Sequence, residues 1–448
     1  MKKNISIVGS GLVGSLLSIY LAKRGHNVNL FERRPDMRKT SISAGKSINL
    51  ALSDRGFRGL IGAGLADDIR EIAIPMYGRQ IHHSDGSESY QPYGKEGQAI
   101  YSVSRGGINM KLMDLAESME NIKIHFNHRC TDVDLKNTTS SFVDESTGAA
   151  IVDKADMVFG ADGAFSPVRM SMMTKTDSFN YSQTYLEHAY KELVIPPAAD
   201  GSFQMNKNAL HIWPRKSFML IALPNLDGSF TCTLFLELKG EVSFEKLKDD
   251  ESITAFFKQH FPDAVALMPS LLTDFNTNPT SLLVTVRCYP WTYQDKVALI
   301  GDAAHAIVPF FGQGMNCGFE DCVVLDEMIA QFGEDWQSVL NAYQIARKPN
   351  GDAVAQLALN NFIEMRDKTG DPKFLLRKKI EARIAAENPS FLSMYAQVTF
   401  SPHITYDSAY KAGQKHDAYL EQLADIPNVF DLWNTPQVQA LIQSLLLV

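Results

Sequence analysis

Apolar runs along the chain change period in a telling order. NISIV (4–8) and NVNLF (27–31) are runs of strand length, and LVGSLLSIYLAKR between them has helical spacing. MVFG (157–160) and DKVALI (295–300) read as two more buried strands, each ending at a glycine. KSFMLIAL and SFTCTLFLEL alternate as strands of a separate sheet, with DGS at 227–229 as the turn between them. From about 331 the pattern becomes helical through WQSVLNAYQIA, VAQLALNNFIEM and KFLLRKKIEARIAAE, broken at Gly370-Asp371-Pro372. The closing ALIQSLLLV reads as a helix end packed on the body. Strand–helix–strand units, then a sheet, then helices predict an α/β protein with a helical C-terminal region. With no repeats and no low-complexity linker, the parts should pack as one body.

Composition narrows this picture. A chain of 448 residues exceeds one compact core, so two or three units are expected. A net charge of −8 argues against nucleic acid and anionic membranes as partners. Five scattered cysteines suggest no disulfide framework, as befits a reducing cytoplasm. The N-terminus lacks a signal-peptide hydrophobic region, and no run of 18 apolar residues predicts a membrane span.

The chemistry gathers where buried strands end. After NISIV come Gly9, Gly11 and Gly14 in G-x-G-x-x-G spacing. Gly9 suits a tight turn, Gly11 lets backbone approach a pyrophosphate, and Gly14 lets helix and strand pack closely. The pyrophosphate would lie on the helix N-terminus, where free N–H groups favour an anion. Glu32, just after NVNLF, is placed to accept hydrogen bonds from a ribose and would repel a 2′-phosphate. That cleft suits FAD or NAD better than NADP. MVFGADGAFSPVR (157–169) runs a strand into Asp162-Gly163 and on to Arg169. GDAAHAIVPFFGQGMN (301–316) places Asp302 after a strand and glycines at a helix start. Asp302 could hold the hydroxyls of a polyol chain. Gly312 to Asn316 could present helix N-terminal amides to a ring that becomes anionic. A reduced flavin combines those needs, whereas NAD has no ribitol.

Together these motifs resemble the single-component flavin aromatic hydroxylases of the para-hydroxybenzoate hydroxylase fold. KSINLALSDRG (46–56), PMYGRQIHH (75–83), SVSRGGINMKLMD (102–114), PFFGQGMN (309–316), LALNNFIEMRD (357–367) and MYAQVTFSP (394–402) are similar to the kynurenine-hydroxylating members of that family. The resemblance implies a Rossmann-like FAD-binding domain (1–70, 97–175 and 285–330), an inserted mixed β-sheet substrate domain (71–96 and 176–284) and a C-terminal helical region (331–448). It implies that Arg105 reaches the flavin or its pyrophosphate and that Ala51 packs beside the isoalloxazine. Met315 and Asn316 would lie against its pyrimidine edge. Arg79 and Tyr93 would grip the amino-acid carboxylate of L-kynurenine with Asn361, preferred to Asn360, and Tyr395. Phe310 and Met365 would shape the aromatic pocket. The implied reaction uses NADPH and O₂ to hydroxylate C3 through a hydroperoxide at flavin C4a, so no side-chain acid–base dyad is expected.

Without the resemblance, Arg79 sits in a Tyr-rich stretch that would pass for a polar loop. His82 and His83 are adjacent, so they point apart on a strand, and no HExxH or CxxC pair predicts a metal. His305 is expected as a hydrogen-bonded supporting residue. The single G-x-G-x-x-G argues against disulfide reductases with two dinucleotide domains. An NAD-dependent dehydrogenase would leave Asp302 and the 312–316 stretch without a role. A non-catalytic flavin protein, or a hydroxylase of another amino-aryl acid, would keep the same motifs.

Overall fold

The computed structural model describes residues 2–39, 49–364 and 371–448. Its central sheet has six strands in the order Thr292–Tyr293, Val297–Leu299, Met157–Gly160, Asn4–Val8, Asn27–Phe31 and Ile122–His125. All pairings are parallel except that of Thr292–Tyr293 with its neighbour. Ile5 lies between Met157 and Val28. Helices covering a parallel sheet bury both of its faces, which is why these strands read as unbroken apolar runs. The helix Leu12–Lys23 is one such cover, with Leu16, Leu17, Ile19 and Leu21 buried.

A second sheet of seven strands has the order Ser281–Tyr289, Asn180–Ile195, Phe230–Glu237, Phe218–Pro224, Ala209–Arg215, Gly78–His82 and Glu88–Pro92. It is mixed, because Ala209–Arg215 and Gly78–His82 pair in parallel while the remaining neighbours run antiparallel. The unit boundary expected at 284/285 falls inside the strand Ser281–Tyr289. A small sheet of Asn49–Leu52, Ile100–Ser104 and Ala73–Met76 carries Ala51. The strands His128–Asp134, Thr139–Asp144 and Ala150–Lys154 form another small sheet, which the sequence pattern did not suggest.

The two helical segments expected after 331 join into one helix, Trp336–Ile363, of 28 residues with Pro349 inside it. It passes close to the central unit at Gly351. A Cβ there would meet the Trp291 ring at 3.1 Å and His305 Cβ at 3.2 Å. The helices Pro372–Glu387, Tyr406–Ala424 and Pro436–Leu446 share a core of Ile380, Ile384, Leu420, Leu423, Trp433, Ile442 and Leu445. The C-terminal tail therefore packs through Ile442 and Leu445, leaving Leu447 exposed. Among the described residues no helix is long and apolar enough to cross a membrane.

Candidate active site

The first strand ends in a turn whose glycines have different physical reasons. Gly9 has φ +102°, and a Cβ there would lie 2.5 Å from Ala161 O. At Gly14 a Cβ would fall 1.9 Å from Gly9 O, so close packing of helix on turn forbids any side chain. Gly11 differs. Beyond its chain neighbours, no described residue comes within 4 Å of its would-be Cβ, and its φ of −74° suits any residue. Nothing in the chain itself requires glycine there, as expected where backbone must face a ligand. Glu32 Oε2 accepts from Ser10 N at 3.2 Å and Oε1 from Arg34 N at 3.0 Å. Each carboxylate oxygen keeps a free lone pair. The carboxylate thus stands over the glycine turn, with capacity for sugar hydroxyls.

Asp162 and Asp302 follow the neighbouring strands Met157–Gly160 and Val297–Leu299. Asp162 Oδ2 accepts from Val168 N at 3.2 Å, while its buried Oδ1 has no partner among the described residues. Burial pushes this carboxyl up to about 6, opposed by nearby Ser166 and by the Val168 N–H. Buried acceptors are almost always paired, so an oxygen without a well-formed partner among the described residues leaves room for a ligand's donor. Asp302 is reached by solvent yet closely surrounded by protein, as on a deep cleft wall. Desolvation raises its carboxyl, and the charges of Arg105 and His305 pull it back. Arg105 is exposed at the start of the helix Arg105–Ser118. Buried Arg169 joins the two acid-bearing loops, donating to Ala303 O at 2.7 Å and Ala164 O at 2.5 Å.

The 301–316 stretch wraps tightly. Gly312 has φ +66° and faces Ala51, whose Cβ would lie 3.3 Å from a Cβ at 312. The helix Gly314–Phe332 starts two residues later, with Met315 buried in its first turn. Asn316 is fully buried, but its side chain is engaged within the protein. Oδ1 accepts from Ser53 N at 3.0 Å, and Nδ2 donates to Ala51 O and Gly312 O at 2.9 Å each. Only its main chain remains to face a flavin, and its amide clamps Ala51 to the glycine turn. The open position at Gly11, the bare Asp162 oxygen and the free helix amides after Gly314 fit a dinucleotide with a polyol chain. Gly9, Gly11, Gly14, Glu32, Asp162, Asp302 and Arg105 could hold FAD in that cleft, with Ala51, Gly312, Gly314 and Met315 at its ring.

Beneath this loop lies a buried ionic network. His305 Nε2 is 2.6 Å from Asp321 Oδ2, which also accepts from Gly301 N at 3.0 Å. Arg347 donates to Asp321 Oδ1 at 2.6 Å and to Glu320 Oε2 at 2.5 Å, and Arg55 meets Glu320 Oε1 at 2.6 Å. Burial disfavours the His305 charge, but Asp321 outweighs it and holds the imidazole well above its usual range. His305, Cys317 and Asp321 are near enough together to suggest a metal. The Arg347 guanidinium fills the cation position instead, lying 3.2 Å from Cys317 Sγ. His305 is the supporting residue expected. Its partner Asp321, and Arg347, Glu320 and Arg55 further along the network, were missed, although charges inside apolar helical runs such as GFEDCVVL were a visible signal.

The residues expected at the substrate come together from a strand pair and a distant helix. Arg79 lies on Gly78–His82, Tyr93 follows its partner strand Glu88–Pro92, and Tyr395 lies in the first turn of the helix Met394–Phe400. The two phenol rings stack at 5.5 Å and 12°, and the Arg79 guanidinium sits 5.3 and 5.1 Å from their centroids. Arg79 Nε and Tyr93 Oη are buried without a well-formed hydrogen bond, and no acid pairs with Arg79 among the described residues. Asn361 Nδ2 donates to Phe310 O at 2.6 Å, whereas Asn360 accepts from Gln356 on its own helix. Phe310 packs on Phe362 at 4.5 Å and Phe235 at 4.9 Å. Phe311, not anticipated, faces Tyr395 at 5.7 Å. Ala51, Tyr93, Tyr395 and Ile221 share one apolar cluster, so the flavin side and the guanidinium side are contiguous. Met365 lies outside the described residues. His82 is buried and His83 exposed, so they do point apart.

Residues 2–358 match the model of a family described as an FAD binding domain. The chain is 52% identical to a kynurenine 3-monooxygenase of Flavobacterium johnsoniae, over 99% of this chain and 98% of that protein. It is 49% identical to one from Myxococcus xanthus (96% and 93%) and 46% to one from Dictyostelium discoideum (94% and 93%). Among solved structures it is similar to 2-methyl-3-hydroxypyridine-5-carboxylic acid oxygenase, with TM-score 0.67 and 19% identity over 84% of this chain and 95% of the other. PqsL, a probable FAD-dependent monooxygenase from Pseudomonas aeruginosa, has TM-score 0.65 and 17% identity, covering 82% and 97%. At that identity the likeness establishes the fold.

Proposed function

The chain belongs to the kynurenine 3-monooxygenase family of FAD-dependent monooxygenases, and from that premise we propose how its own residues direct hydroxylation of L-kynurenine at C3. When bound, FAD would accept two electrons from NADPH and pass them to O₂, activating it. The chain supplies position. Arg79 takes the α-carboxylate in a two-pronged grip, with Tyr93 and Tyr395 donating beside it and Asn361 holding the Phe310 turn. Phe310 and Phe311 press the aromatic ring toward Ala51 and exclude water. The substrate's own amine activates the ring carbon ortho to it, so orientation replaces a side-chain base. Asp302 and Asp162 hold hydroxyls of the flavin's sugar chain, Arg105 its anionic part, and Glu32 its ribose. Amides after Gly314 stabilise negative charge on the reduced ring.

The observation that carries this reading is the half-buried Arg79, its Nε buried and unpaired, without an acidic partner among the described residues. A guanidinium partly withdrawn from water between two phenol rings favours an anion from outside as its partner. Kynurenine's carboxylate, remote from the carbon to be oxidised, meets that need. The test is NADPH consumption by the FAD-loaded protein with and without L-kynurenine, the product identified by mass. Consumption indifferent to kynurenine, or no gain of one oxygen, would sink the assignment. We place the protein in the cytoplasm, acting as monomer or homodimer without nucleic acid.

A further inference from the structure

Arg55 is the most fully engaged side chain next to the flavin cleft, yet it faces neither flavin nor substrate. It is fully buried on the helix Asp54–Ala63, one residue after Asp54 and two after Ser53, whose N–H is held by Asn316. Its Nε donates to Val398 O at 2.6 Å, and Nη2 donates to Gln397 O at 3.2 Å, Ser401 O at 3.3 Å and Ile404 O. Nη1 meets Glu320, and the Tyr406 ring lies 4.2 Å from the guanidinium carbon. Tyr406 Oη in turn donates to Gln313 Oε1, the residue preceding the helix Gly314–Phe332.

The acceptors share a location. Gln397 and Val398 lie near the C-terminal end of the seven-residue helix Met394–Phe400, and Ser401 and Ile404 follow it. Last-turn carbonyls of a helix lack partners of their own, and here one guanidinium gathers them. Tyr395 stands at the other end of the same short helix. We propose that Arg55 is a positioning residue for the hydroxylation. Through Met394–Phe400 it fixes Tyr395 against Tyr93 and Arg79, and through Glu320 it ties that helix to the one starting at the flavin-side glycines. Energy alone does not account for the arrangement, because buried ion pairs are often no more stabilising than well-packed apolar residues. A fixed spacing between substrate clamp and flavin does.

This inference rests on the substrate pocket proposed above. The test uses FAD-loaded holoenzyme of wild type, Arg55→Lys, Tyr395→Phe and the double variant. Lysine keeps the charge but cannot reproduce the fork. Calorimetric affinity of the oxidised holoenzyme for L-kynurenine should weaken about tenfold in Arg55→Lys, the scale of one charge-assisted hydrogen bond. FAD content should hold, and KM should rise more than kcat falls. Adding Tyr395→Phe should weaken binding less than the product of the two single effects, since both act through one side chain. Unchanged affinity in Arg55→Lys, or multiplicative effects in the double variant, would overturn the proposal. If Arg55→Lys does not fold, Glu320→Gln should weaken binding in the same direction, by about threefold, and wild-type affinity there would overturn it equally. Wild-type holoenzyme that binds no kynurenine would instead remove the functional reading beneath it.

Discussion

A guanidinium beneath two phenols, with no carboxylate in reach among the described residues, is an arrangement waiting for an anion. Arg79→Ala should cost about 2–5 kcal/mol of kynurenine binding if the pair is desolvated, roughly 30-fold to several-thousand-fold in affinity. Tyr93→Phe should cost nearer about 1 kcal/mol. Titration of FAD-loaded variants checks both, and Arg79→Ala should also release more H₂O₂ per NADPH because misplaced substrate wastes activated oxygen. At the cofactor, Asp302→Ala should fold but lose about 1.5–3 kcal/mol of FAD affinity, read from absorbance of the purified protein. Full occupancy would remove Asp302 from that role. The acids at 32, 162 and 302 were legible because each directly follows or nearly follows an apolar strand. Arg79 was not legible from its surroundings, since Tyr395 reaches it only through the fold; the family resemblance supplied it. Asn316 is expected at the flavin's pyrimidine edge; its side-chain amide holds Ala51 and Gly312, which leaves its main chain for that edge.

Helix starts divide fold requirements from ligand requirements. Gly14→Ala should destabilise the folded protein, because its Cβ would collide with Gly9 O. At Gly11 a Cβ comes within 4 Å of no described residue beyond its chain neighbours, so Gly11→Val should fold but purify without FAD. Equal thermal stability and equal loss of flavin in both would contradict that division. Gly314 is the first residue of its helix, where proline suits its own φ, but Gln313 before it has φ −108° and ψ −1°, which a following proline disfavours. Gly314→Pro should therefore strain the turn as well as remove an N–H, and the folded, flavin-loaded variant should show a lower flavin potential and slower reduction by NADPH; an unchanged potential would mean the amides point elsewhere. The strand–helix–strand periods were readable because local sterics and burial set them. The strands within 128–154 and the union of two periodic segments into Trp336–Ile363 were not, since pairing partners and the passage through Pro349 are decided by packing.

Across the whole molecule, the ionic network makes stability depend on pH. His305 has its pKa raised on folding, so the folded state holds its proton more tightly than the unfolded chain. That contribution is complete below the ordinary histidine range and is lost as pH rises through the raised value. Asp321 is held below 3.8, with burial opposed by His305 and Arg347, so its contribution persists above that value and is lost in acid. Wild type should lose melting temperature between about pH 7 and 9 more steeply than His305→Gln. Parallel curves would place the proton elsewhere. The same network sets a timetable for synthesis. Arg55 emerges from the ribosome early, but Val398, one of its main-chain acceptors, lies 343 residues later. Arg79 likewise precedes Tyr395 by most of the chain. The glycine turn, by contrast, has its strand and helix neighbours almost at once. A nascent chain thus completes its first nucleotide-binding turn long before it can close its substrate clamp, and a message broken before codon 394 yields Arg79 and Tyr93 without the Tyr395 ring that stacks beside them.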